Sequence, residues 1–195
     1  MKFIDVETAS TLEVKKSKFI THLVPYNQFN DLMDRLKQEH PKGRHFVYAY
    51  RYLNEFEQIV ENSSDDGEPK GTSGRPSLAV LQGKNLVNTS VIIVRYFGGI
   101  KLGTGGLVKA YSDAVNLVLE NSNLIEYEKL IKKTLKVDYS SLSKIEYMIN
   151  QHSIDIVNKT FQEDVTLILE TSLEKFNLLE KELFQDMRLE DEKWE

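Results

Sequence analysis

Apolar and polar positions alternate or recur along this chain in two separate series. The first series opens at Glu13–Val24 (EVKKSKFITHLV), where β-branched and aromatic residues surround a basic patch and predict one strand. Gln28–Gln38 carries Phe29, Leu32, Met33 and Leu36 at helical spacing, and the predicted helix stops before Pro41 and Gly43. His45–Leu53 (HFVYAYRYL) reads as a strand, with a second at Phe56–Val60 completing a hairpin. Glu61–Gly74 is polar and turn-rich, which predicts a loop. Pro76 suits the first position of a short helix that Gly83 ends. Thr89–Phe97 is the most apolar run and predicts a buried strand. Leu107, Ala110, Ala114, Val115, Val118 and Leu119 then form one face of a helix running to about Glu120. These elements make an α/β sandwich of roughly 125 residues.

Beyond Asn121 the pattern restarts. A strand at Glu128–Asp138, a helix at Leu142–Gln151, a strand pair across Asp155–Thr171 and a helix at Glu174–Asp186 follow in order. β-α-β-β-α fits a ferredoxin-like unit whose last strand would come from Met187–Trp194. That stretch is mostly charged, so a weak or missing final strand is expected. The two series divide the chain into residues 1–125 and 126–195.

Composition narrows the function classes. The longest apolar runs are far too short to cross a bilayer, and the amino-terminal MKFIDVETAS does not read as a secretory signal. A cytoplasmic protein without membrane contact is expected. There is no cysteine, hence no disulfide, thiolate nucleophile or cysteine-based zinc site. His22, His40 and His152 show no metal-ligand spacing, and no Ser-His-Asp order can be defended.

The net charge of -5 hides an uneven distribution. Pro69–Ser112 contains no Asp or Glu, yet holds Lys70, Arg75, Lys84, Arg95, Lys101 and Lys109 and eight of the ten glycines. Glycine lets backbone amides approach a ligand, and missing carboxylates leave the local field positive. Gly98-Gly99-Ile100-Lys101-Leu102-Gly103-Thr104-Gly105-Gly106 lies between the buried strand and the following helix, where amides bind phosphate or carboxylate. It matches neither a Rossmann nor a Walker A pattern. The alternative is that these glycines serve only a tight turn and close packing.

Asp65-Asp66-Gly67-Glu68 offers three carboxylates that could hold Mg²⁺ or merely build a solvated turn. Thr72 and Ser73 could ligate phosphate oxygens. Arg95 and Tyr96 fall at a strand end, where α/β sheets often bind ligands. His45 is a further candidate, structural or functional. Tyr48, Tyr50 and Tyr52 share one sheet face, open for base stacking or covered by a helix.

Ser64–Pro69, Gly71-Thr72-Ser73-Gly74-Arg75-Pro76 and Arg95-Tyr96-Phe97-Gly98-Gly99-Ile100-Lys101-Leu102-Gly103-Thr104-Gly105-Gly106-Leu107 together resemble the signature of the YigZ/IMPACT family. Lys16–Ile20 and the His45–Tyr50 strand extend the resemblance across the first domain, and the second unit is similar to the C-terminal domain of bacterial members. The resemblance implies an α+β protein: an N-terminal left-handed β-α-β domain like a ribosomal-protein domain, then a ferredoxin-like domain like one of elongation factor G. Val47 stands where many relatives have cysteine, so a thiol role does not transfer. The kinase regulation of the eukaryotic relatives does not transfer either.

Three functions follow as expectations. The first is a non-enzymatic module that binds RNA or the ribosome, linked to translation and without cofactor. In it Arg75, Arg95 and Lys101 contact phosphates, and Thr72, Ser73, Gly98, Gly99, Gly103, Thr104, Gly105 and Gly106 line the anion site. The second is a metal-assisted enzyme or sensor for a small phosphorylated or carboxylated ligand, with Asp65, Asp66 and Glu68 at the metal and Thr72, Ser73 and Lys101 holding the anion; His45 and Tyr96 are further possible site residues. The third is an adaptor for a protein partner.

Overall fold

A computed structural model describes residues 1–191, with side chains up to residue 184. Contacts divide the chain into two units, Met1–Tyr127 and Glu128–Glu195.

In the first unit Lys15 and Lys16 both take positive φ, 46° and 66°, and turn the chain between β2 (Thr8–Val14) and β3 (Ser17–Pro25). The single strand expected over Glu13–Val24 is therefore a hairpin. Lysine is not a residue that announces φ > 0, so composition alone conceals this turn. A single 3-10 turn (Tyr26–Gln28) leads into α1 (Phe29–Glu39), and β4 (His45–Leu53) follows with the expected bounds. Its partner is β5 (Ile59–Ser64), displaced from the expected Phe56–Val60. The cause is Asn54, whose side-chain oxygen accepts the amides of Phe56 and Gln58 and holds them in the turn. The expected loop over Glu61–Gly74 accordingly shrinks to Asp65–Ser73. Then come α2 (Gly74–Gly83), β6 (Thr89–Tyr96) and α3 (Gly103–Glu120). Pro76 sits third in α2, still in the first turn, where its missing N–H costs nothing. The short β1 (Lys2–Phe3) and β7 (Ile125–Glu126) pair with each other.

The main sheet has the order β2-β3-β6-β4-β5. β6 is its centre, and every residue from Thr89 to Arg95 is buried. Alternation sends Val91 and Ile93 into one core with Phe19, Leu81, Leu107, Tyr111 and Val115, under α2 and α3. Ile92 and Val94 point the other way, against Leu32 and Leu36 of α1. Each such side chain, fully buried, contributes roughly 1.5–3 kcal/mol. Tyr48, Tyr50 and Tyr52 lie on the α1 side and are covered: the Tyr26 ring stacks on Tyr52 at 4.0 Å, and Phe29 meets both Tyr48 and Tyr50. They form no open platform for bases.

β3 and β4 are both antiparallel to β6, hence parallel to each other, and α1 crosses between them on one face. β5 and β6 are likewise parallel through β4, and α2 crosses on the other face, with the strands reversed and the sideways step reversed. Reversing the face, the strand direction and the step together inverts the hand. One of the two crossovers is therefore left-handed, against the strong general preference for right-handed ones.

The second unit runs β8 (Leu130–Val137), α4 (Leu142–Gln151), β9 (Asp155–Phe161), β10 (Val165–Ser172) and α5 (Leu173–Asp191). Its sheet order, β8-β10-β9, puts the third strand between the first and second, as in a ferredoxin-like unit. Val137, Met148, Ile149, Val165, Leu167, Leu169 and Leu179 form its core. Over Met187–Trp194, where a weak or missing final strand is expected, α5 continues through Asp191, and residues 192–194 lie outside the described ones. Among the described residues no helix is long and apolar enough to cross a membrane.

Candidate functional site

Two loops of the first unit meet beside the start of α3. The first, Asp65–Ser73, is organised by its own carboxylates. Asp65 accepts the amides of Gly71 (2.7 Å), Ser73 (3.1 Å) and Gly74 (2.8 Å) and the Ser73 hydroxyl (2.8 Å). It thus satisfies donors at the start of α2, where a negative charge also suits the helix dipole. Burial pushes the Asp65 carboxyl up, but these hydrogen bonds outweigh it and hold it below its ordinary value. Thr72 donates to the Pro69 carbonyl (2.6 Å), so Thr72 and Ser73, both buried, spend their hydroxyls inside the loop. Gly74 is required for packing: a Cβ there would lie 2.7 Å from the Ser64 backbone.

Asp66 ties the loop to β4 by accepting the Phe46 amide at 2.6 Å. His45 Nδ1 lies 2.7 Å from the Asp66 carbonyl oxygen, which can only accept, so Nδ1 carries the hydrogen. The other ring nitrogen, Nε2, is left 4.0 Å from Glu68.

Glu68 points inward. Its Oε1 receives Arg95 Nη1 at 2.5 Å and the Tyr111 hydroxyl at 2.8 Å, and the side chains of Glu68 and Arg95 are only 4% and 7% exposed. Arg95 was expected as a surface cation for phosphates; it is instead buried and neutralised, because its place on β6 sends it to the α3 face. Its guanidinium lies 5.4 Å from the Phe19 ring centre and 5.8 Å from that of Phe97. Its Nη2 lies 3.5 Å from Ser17 Oγ, and among the described residues its Nε has no hydrogen-bond partner. Burial first, then the Glu68 charge, pushes the Tyr111 hydroxyl well above its ordinary value, so it stays a donor.

The second loop follows β6. Gly98 passes so close to the Lys15–Lys16 turn that a Cβ would lie 2.0 Å from the Lys16 carbonyl carbon, and its amide donates to Ser17 Oγ at 3.2 Å. Gly99 and Gly103 have φ of 83° and 73° and let the chain swing into α3. The start of α3 is left open. Leu102 provides no side-chain cap, and no acidic residue occupies the first turn. Thr104 and Gly105 are exposed there, and Lys101 stands exposed just ahead of them.

Between the loops lies a groove of about 340 Å³, lined by Glu68, Pro69, Arg95, Phe97, Lys101, Leu102, Gly103, Thr104 and Leu107. Arg95, Lys101, Gly103, Thr104 and Glu68 are thus brought together from the candidates. Gly99, Gly105 and Gly106 lie on the same loop and helix start. Arg75 is exposed on α2 and does not line the groove, and Thr72 and Ser73, both buried, do not line it either. Tyr96 faces the α1 side, where its hydroxyl meets His40 Nδ1 at 3.1 Å. Asp65, Asp66 and Glu68 diverge to different donors, and among the described residues no group of three or more His, Cys, Asp or Glu could hold a metal. Tyr111, Ser17, Phe97 and Leu107 are the participants that sequence reasoning missed. Tyr111 shares the apolar stripe of α3, and its hydroxyl there was the one available signal.

The Impact N-terminal domain model matches residues 15–119, and the domain of unknown function DUF1949 matches residues 135–185. An IMPACT family member of Haemophilus influenzae is 39% identical over 174 residues, covering 85% of this chain and 83% of that protein. The IMPACT family member YigZ of Escherichia coli is 38% identical over 158 residues, covering 80% and 78%. The crystal structure of a hypothetical protein superposes with a TM-score of 0.63 at 32% identity, covering 96% of this chain and 92% of that one.

Proposed function

Given that the chain belongs to the IMPACT family, we propose that it is a non-enzymatic binding protein of the cytoplasm that engages RNA, in the setting of translation, through the groove at the start of α3. The observation that carries this reading is the groove itself: it opens on the uncapped first turn of an 18-residue helix, with Lys101 at its lip and Arg95 in its floor. Helix amides, a lysine and a half-exposed aromatic, Phe97 (49% exposed), are the groups that hold a phosphate beside a base. A binding role rather than catalysis is supported by what the other polar groups do. Thr72 and Ser73 donate inside their own loop, His45 Nδ1 is held by a carbonyl, and the three carboxylates are each engaged by protein donors.

The test is a fluorescence titration of a single-stranded RNA at several salt concentrations, with wild type and Lys101→Ala. Affinity should fall as salt rises, and the variant should bind more weakly with a log-log slope shallower by about 0.7, one phosphate contact on a single strand. Binding indifferent to both salt and Lys101→Ala would overturn the reading.

A further inference from the structure

A second hollow lies at the opposite end of the main sheet from the groove, where β3 and β4 end and β6 begins. It encloses about 440 Å³, within the size range of pockets that hold small ligands. Its lining is aromatic and its charge is of one sign. Tyr26 and Tyr52, stacked at 4.0 Å with ring planes 6° apart, both line it, and Phe3 and Pro25 add apolar surface. Asp5 supplies the one carboxylate, and among the described residues no lysine, arginine or histidine lines the hollow. Asp5 is exposed and has no ion-pair or hydrogen-bond partner among those residues, unlike Glu7, which His22 and Arg35 both engage. The frame of the hollow is fixed from both sides. Asn88 takes a φ of 50°, in the left-handed region that asparagine tolerates better than most residues, and ties two strand ends together. Its side-chain oxygen accepts the Leu53 amide at 3.0 Å, and its carbonyl accepts the Tyr26 amide at 2.8 Å. On the other side Ile4, 1% exposed, anchors the Phe3–Asp5 stretch in the core, and Lys2 makes backbone hydrogen bonds with Asn85 and Val87.

We infer that this hollow is a binding site for a guanidinium group, carried by an arginine side chain of a protein partner or by a small molecule. A cation is attracted to aromatic rings, and a planar guanidinium stacks on them while its N–H groups fork onto a carboxylate. Tyr26 and Tyr52 provide the first kind of contact and Asp5 the second. The side-chain amides of Asn27 and Gln28, in the same lining, offer oxygens to the remaining N–H donors. An ammonium group is more strongly hydrated and has no flat face to stack, so it fits this lining less well. A carboxylate without a base disfavours phosphate, which makes the hollow a site separate from the groove at the start of α3 and independent of the RNA reading.

The experiment titrates the isotope-labelled full chain at constant ionic strength and follows its backbone amide resonances. The small probes are butylguanidinium, butylurea, which is flat but neutral, and butylammonium, which is charged but not flat; a capped Gly-Arg-Gly peptide is the fourth. Butylguanidinium should move the Tyr26, Leu53 and Asn88 amides saturably and bind about tenfold tighter than either of the other small probes. Asp5→Asn, a change at an exposed position that leaves the fold intact, should weaken that binding about fivefold. No saturable shift at these amides, equal affinity for butylurea, or affinity unchanged in Asp5→Asn would each overturn the inference. Butylammonium binding as tightly as butylguanidinium would overturn the choice of a guanidinium. If the peptide binds several-fold tighter than butylguanidinium, the site takes an arginine of a protein partner; if it binds equally or more weakly, the source is a small molecule. None of these outcomes bears on RNA affinity or on Lys101→Ala, so the two sites stand or fall separately.

Discussion

Replacing Glu68 with leucine is expected to unfold the first unit far more easily than an ordinary surface change would, even though Glu68 lies in a loop. The side chain is 4% exposed and its partner Arg95 7% exposed, so the variant leaves a guanidinium buried without its counter-charge. Losing one member of such a pair costs about 3–5 kcal/mol. The Tyr111 hydroxyl loses its acceptor as well, and a stranded buried donor costs about 1–3 kcal/mol. The two losses share one oxygen and do not add fully, which makes about 4 kcal/mol a reasonable figure for the variant. With a urea dependence of roughly 2 kcal/mol per molar, the unfolding midpoint should drop by about 2 M. Near-ultraviolet circular dichroism of tyrosine reads mainly the right unit, because seven of the nine tyrosines belong to it and only Tyr139 and Tyr147 to the second. Glu68→Gln separates the two causes: the amide still accepts from Tyr111 but does not neutralise Arg95. Combining Glu68→Leu with Arg95→Met removes both charges and should recover most of the loss. A single-variant effect below about 1 kcal/mol, or a double variant that loses the sum of the two singles, would refute the buried-pair argument.

Asp65→Asn should destabilise the chain by about 2 kcal/mol at neutral pH, since the amide turns one accepting oxygen into a donor and strands one of the loop amides that Asp65 satisfies. Because the folded Asp65 carboxyl lies below its ordinary 3.8, its contribution is present above that value. The contribution is lost as pH falls through the lower folded value, so wild-type and variant stabilities should converge in acid; a gap that stays constant down to complete protonation would contradict the assignment. Gly98→Ala should cost more than about 2 kcal/mol or prevent folding, since its Cβ meets backbone at 2.0 Å, while Gly105→Ala, with nothing within 4 Å, should be neutral or gain up to about 1 kcal/mol. Thermal melts of the two variants check the contrast. Lys15-Lys16→Asn-Gly should raise stability by about 0.5–1 kcal/mol by matching side chains to the positive φ of the turn, and an unchanged or lowered melting temperature would count against that geometry.

Elements whose own residues carry both period and boundary were legible: β4 at His45–Leu53 and α4 at Leu142–Gln151 end where the sequence says they end. The β2–β3 turn was not, because its geometry is imposed by the sheet on two lysines. The site of the loops after Ser64 and after Tyr96 was also legible, loop by loop, from glycines and strand ends. Its electrostatics were not. The acid-free window begins one residue after Glu68, so a charge count over Pro69–Ser112 leaves out the carboxylate that neutralises Arg95. Glu68 and Arg95 are 27 residues apart and Glu68 and Tyr111 are 43 apart, separations that only the closed sheet brings to contact. Pattern along the chain shows which residues share a face. Which of them meet from different elements is decided by strand order.

The place of β6 at the centre of the main sheet also sets the order in which the molecule can be completed. Its neighbours β3 and β4 are both synthesised before it, and pairs such as Lys18 with Tyr96 and His45 with Arg95 join distant parts of the chain. Until Thr89–Tyr96 leaves the ribosome, β3 and β4 have no strand between them, and Phe19, Leu23, Val47 and Ala49 lack the Val91 and Ile93 that flank them on the same sheet face. Such non-local pairing slows folding and prolongs the exposure of unpaired edges. The same late strand delivers Arg95 to Glu68 and starts the loop that leads into α3. The groove at the start of α3 is therefore among the last features of the nascent first unit to form, and a chain interrupted before Thr89 carries the Glu68 loop without anything for it to close upon.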